Sequence, residues 1–65
     1  MTPKTEAYVE LVGQDGNAFA ILGRVKRAMR EAGVDPTVIK EFMAEATAGD
    51  YDHLLQTVMD YCEVG

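Results

Sequence analysis

Ala18-Phe19-Ala20-Ile21-Leu22-Gly23-Arg24-Val25-Lys26-Arg27-Ala28-Met29-Arg30-Glu31-Ala32-Gly33 is the stretch that decides the fold. At about 100° per residue, Ala18, Ile21, Leu22, Val25, Ala28, Met29 and Ala32 fall on one side, the core stripe of an amphipathic helix. Gly33 suits the left-handed helix-stop conformation. Asn17 or Asp15 can cap the start by accepting hydrogen bonds from its free amides. The predicted helix therefore runs over about residues 18–32. A helix with one apolar side needs other elements to cover that side.

Working outward, Asp35-Pro36 supplies an N-cap and a first-turn proline for a second helix. It carries Val38, Ile39, Phe42, Met43 and Ala46 toward the core and is expected to end at Gly49. Asp50 caps a third helix, in which Tyr51, Leu54, Leu55, Val58 and Cys62 recur at i, i+3, i+4, i+7 and i+11. Before the turn cluster Gly13-Gln14-Asp15-Gly16, the segment from Ala7 to Val12 has the β-branched and aromatic residues of a short strand. The tail Tyr61-Cys62-Glu63-Val64 either prolongs the third helix or turns extended and pairs with the strand near Tyr8. The expected fold is mainly α: one small three-helix domain over residues 1–65, with a short N-terminal strand.

A chain of 65 residues buries only about 60% of its unfolded surface, so stability at this size calls for a disulfide, a metal or another chain. Cys62 is the single cysteine, which excludes an internal disulfide and points to a reducing compartment. One cysteine and one histidine cannot supply the usual zinc set, and the scattered carboxylates give no metal-ligand spacing. No cofactor is expected, and a homo-oligomer is. No apolar run reaches the ~18 residues of a membrane span, and MTPKTEAYVELVG lacks a signal-peptide core. Both observations predict a cytoplasmic protein without membrane contact.

Two segments, Asp15-Gly16-Asn17-Ala18-Phe19-Ala20-Ile21-Leu22-Gly23-Arg24-Val25 and Ala48-Gly49-Asp50-Tyr51-Asp52-His53-Leu54-Leu55, resemble a family of small proteins of phages, prophages and bacterial genomes. The likeness spans most of the chain beyond residue 8. It implies a context rather than an activity: control of, or interference with, a host process.

The charge distribution adds a site. Four of the six basic residues, Arg24, Lys26, Arg27 and Arg30, fall within seven positions of a chain of net charge −5. Such a block creates a local positive field that can select an anionic partner. Phe19, Gly23, Lys26, Arg27 and Arg30 share the side of the helix opposite the core stripe. Glycine in a helix interior costs about 1 kcal/mol relative to alanine; here it admits a close approach by a ligand or a second backbone. Phe19 can stack on a ring or fill a partner's pocket. Arg27 and Arg30 can hold phosphate or carboxylate bidentately, and Asn17 with the free helix-start amides adds an anion site at one end. The bland alternative packs Phe19 under the N-terminal strand and pairs the cations with Glu31, Glu41 and Glu45.

Enzymatic chemistry has little to draw on. The chain has no serine, and His53 lies half a helical turn away from Cys62 in projection, so the two form no intrahelical pair. The first-turn His53 is expected to be exposed or interfacial. Met29, Met43 and Met59 read as gap-filling core residues. Helix two, Gly49 and helix three outline a helix-turn-helix, but the third helix carries Asp50, Asp52 and Asp60 and no cation, so phosphate repulsion opposes direct DNA binding. Mimicry of DNA by the acidic surface is weakened by the basic helix that interrupts it. Two functions follow as expectations. One is a noncatalytic oligomer binding a phosphate-bearing small molecule, such as a nucleotide second messenger sequestered by a phage. The other is a regulatory module binding an acidic segment of a host protein.

Overall fold

The structure, a computed structural model, describes residues 3–65. The elements in chain order are β1 (Tyr8–Val9), α1 (Ala18–Glu31), α2 (Pro36–Ala46), α3 (Tyr51–Tyr61) and β2 (Glu63–Val64). The fold is mainly α, as the periodicity predicts. Each helix begins at the cap its sequence advertises: the Asn17 side chain accepts from the Phe19 amide, Asp35 from Thr37 and Asp50 from His53. Gly33, at φ 77°, ends α1 in the left-handed conformation that glycine adopts without strain.

The tail takes the extended alternative. β1 and β2 pair in parallel, with Tyr8 opposite Glu63 and Val9 opposite Val64. Parallel neighbours need a long crossover, and here the three helices form it. The zipper runs past the two-residue ladder in both directions. Lys4 and Thr5 amides donate to the Asp60 and Tyr61 carbonyls at 2.9 and 3.0 Å, and the Leu11 amide donates to the Gly65 carbonyl at 3.0 Å. The N-terminal segment thereby satisfies carbonyls that the end of α3 leaves free. A two-stranded ribbon is marginal alone; this one is anchored by Ala7, Val9 and Cys62, all buried.

Val25 and Met29 of α1, Phe42 of α2 and Val58 of α3 meet at the centre with no exposed surface. Tyr61 sets its ring edge-on to Phe42, centroids 5.3 Å apart. The buried Thr57 hydroxyl is satisfied by the His53 carbonyl at 2.7 Å.

Several expectations are corrected. α2 stops at Ala46, before Gly49, because the Thr47 hydroxyl donates to the Met43 and Ala44 carbonyls and closes the last turn. Ala32 is the exposed C-cap of α1 rather than part of its stripe. Tyr51 is exposed, because its hydroxyl reaches out to the Gly16 carbonyl at 2.6 Å. Met59 is likewise exposed and fills no core gap. Cys62 lies beyond α3 on extended backbone (φ −134°, ψ 157°), yet its side chain remains in the core.

Candidate anion-binding groove

The basic block of α1 divides between two surfaces. Lys26 and Arg30, one turn apart, lean toward α2, where Lys40 completes a rim of three cations. Between them lies a partly open groove of about 650 Å³, lined also by Val34, Pro36, Ile39 and Met43. This volume is in the range of small-molecule sites. Local sequence explains the arrangement. Gly33 turns the chain sharply after α1, and Pro36 starts α2 at once, so the end of α1 and the first turns of α2 face each other across the groove.

The second surface holds Phe19, Ala20, Gly23, Arg24 and Arg27 around a shallower depression of about 350 Å³. Phe19 is 84% exposed, so it does not pack under the N-terminal strand. Arg27 pairs with Glu31 at 3.1 Å, an exposed helical pair of the kind worth roughly 0.3–0.5 kcal/mol. Among the described residues Glu45 takes no cation, and it accepts from the Tyr61 hydroxyl at 3.1 Å. Arg24 is drawn aside, one Nη donating to Gln14 Oε1 at 3.2 Å, while the other is enclosed without a partner among the described residues. Asn17 sits apart from both surfaces as the α1 cap, and its own amide is bonded to the Asp15 carboxylate at 2.9 Å. That carboxylate sits where an incoming anion would approach the helix start.

Among the described residues Arg27–Glu31 is the one ion pair, so Lys26, Arg30 and Lys40 face the groove with no carboxylate partner. Lys40 and the apolar floor were outside the basic-face reading. The available signal was that Lys40 is the single cation of α2 and stands one turn from Pro36.

The remaining titratable groups are engaged structurally. His53 Nε2 donates to the Glu45 carbonyl at 2.8 Å, satisfying an acceptor at the end of α2. Burial pushes the Tyr61 phenol above its ordinary range, helped by the hydrogen bond to Glu45 and by the charges of Glu45, Glu41 and Asp60. Lys4 Nζ lies 4.6 Å over the Tyr61 ring. Burial also pushes the Cys62 thiol up, offset in part by Thr5. Among the described residues no three His, Cys, Asp or Glu side chains are grouped to hold a metal ion, and no helix is long and apolar enough to cross a membrane.

Fold and site together define a small mainly α domain with a cationic, apolar-floored groove. Compared with known proteins, no family model, curated protein or solved structure matches the chain.

Proposed function

We propose that this protein is a noncatalytic binding protein whose α1–α2 groove takes an anionic ligand with an apolar or planar body. The observation that carries the reading is the convergence of Lys26, Arg30 and Lys40, none paired to a carboxylate, on a floor of Val34, Pro36, Ile39 and Met43 in a chain of net charge −5. Keeping three unneutralised cations together is unfavourable without a counter-anion, and one held against an apolar wall gains charge-assisted hydrogen bonds in a partly dry setting. The apolar floor accommodates the body of the ligand. A nucleotide fits this chemistry, and the role that follows is to sequester a nucleotide signal of a host.

Calorimetric titration with a panel of cyclic and linear nucleotides tests the reading, comparing wild type with a Lys26→Ala, Arg30→Ala, Lys40→Ala variant. Saturable binding by the wild type and its loss in the variant are expected. The variant should fold within about 1 kcal/mol of wild type, since its substitutions are at the surface. Absence of binding at millimolar nucleotide would refute the nucleotide reading. Because the groove is a partly open cleft rather than an enclosed cavity, an acidic segment of a host protein is the second reading. An acidic peptide that binds wild type and not the variant would favour it.

A further inference from the structure

Two features of α1 are unused by the chain itself. Phe19 is 84% exposed. Gly23 stands inside the helix without a left-handed φ, and a Cβ built there meets nothing within 4 Å. Neither conformation nor packing within the chain therefore requires glycine, although it costs about 1 kcal/mol relative to alanine. Arg27 follows one turn later. Phe19, Gly23 and Arg27 share one side of the helix at spacings of four, and Gly23 is the midpoint.

That midpoint makes the face self-complementary. In an antiparallel crossing of two such helices about a two-fold axis at Gly23, a residue four positions before the axis faces one four positions after it. Phe19 then lies against Arg27 of the partner subunit, and the same contact repeats on the other side of the axis. A guanidinium over an aromatic face is favourable, and the missing Cβ lets the two backbones approach closely. A parallel crossing would instead set Arg27 against Arg27 of the partner subunit. The face is also suited by charge. The Glu31 carboxylate is held by Arg27 of its own helix and Arg24 is drawn aside to Gln14. The surface around Phe19, Gly23 and Arg27 has no carboxylate in its lining, so two chains of net charge −5 can meet at its centre. Lys26 and Arg30 remain turned toward α2, so the groove stays open.

We propose that this protein forms a two-fold homodimer through antiparallel α1 helices crossing at Gly23, with Phe19 of each subunit seated on Arg27 of the partner subunit. A single helix crossing is smaller than a standard interface, so the dimer is weak and populated at high micromolar concentration.

Oxidative cross-linking reads the geometry. Gly23→Cys places two thiols on the axis, within the Cα separation a disulfide spans, and should yield covalent dimer. Phe19→Cys puts each thiol about 12 Å along the helices from its mate and should not self-link, whereas a mixture of Phe19→Cys and Arg27→Cys chains should form the mixed dimer. Wild type, whose only thiol is buried, is the control. Phe19→Cys linking to itself as readily as Gly23→Cys would overturn the crossing. Sedimentation adds an uncrosslinked readout: Gly23→Gln and Phe19→Gln should each weaken self-association at least about tenfold while keeping wild-type helicity. Wild type that stays monomeric at high micromolar concentration, or variants that associate as wild type does, would overturn the dimer.

Discussion

Gly49→Ala should change the sign of its effect when His53 is removed. A Cβ at position 49 would come 2.8 Å from His53 Cγ and 2.9 Å from its Cβ, closer than nonbonded carbons approach. These atoms sit near the α3 backbone and cannot swing clear as the tip of a long side chain would, so the ring must shift. Its Nε2 bond to the Glu45 carbonyl, 2.8 Å long, is then strained or lost. Loss of such a bond costs about 1 kcal/mol, and the strain adds a comparable amount. Against this, alanine restricts the unfolded chain and returns about 0.4–1 kcal/mol where φ permits it, as it does at Gly49. The net expectation is a destabilisation of roughly 1–1.6 kcal/mol in wild type, a fall in Tm of several degrees for a domain of this size. In a His53→Gly background, which removes the Cβ together with the ring, the clash is absent, and Gly49→Ala should stabilise by about 0.4–1 kcal/mol. Urea unfolding of the four proteins, analysed as a double-mutant cycle, measures the coupling. Equal destabilisation with and without His53 would refute the reasoning, placing the requirement for glycine in the backbone rather than under the ring.

Other consequences are as direct. Tyr61 and Cys62 are both held above their ordinary values of 10.0 and 9.0 in the folded chain, so their protonated forms favour folding. That contribution is fully present below pH 9 and is lost as pH rises through the folded values; a circular-dichroism titration should show stability falling on the alkaline side, and Tyr61→Phe should abolish the Tyr61 share of that fall and leave the share of Cys62. Tyr51→Phe removes the hydrogen bond to the Gly16 carbonyl and should lower stability by about 1 kcal/mol in urea unfolding, with the helices unchanged. Cys62→Ala, at a buried site, should destabilise by about 1 kcal/mol and leave the sedimenting mass unchanged. Dissociation by reductant alone would instead make Cys62 an interchain bridge.

The three helices were legible in the chain because their signals act within a few residues. Asn17, Asp35 and Asp50 each bond an amide two or three positions on, Gly33 adopts its own positive φ, and the apolar stripes follow from helical periodicity. Where local signals competed, local reading failed. Gly49 looks like a helix stop, but Thr47 closes α2 first, and the glycine instead makes room for a ring from the next helix. Tyr51 fits the core stripe of α3 by spacing, yet a carbonyl 35 positions away in the chain holds it at the surface. Packing alone chose the extended tail over a longer α3, because Ala7, Val9 and Cys62 bury together only when the chain ends lie side by side. The groove has the same origin. The basic block was visible in the sequence, but a helical wheel gives angles about one axis and says nothing of its neighbours. Only the placement of α2 beside the end of α1 could separate Lys26 and Arg30 from Phe19, Gly23 and Arg27, and bring Lys40 to them.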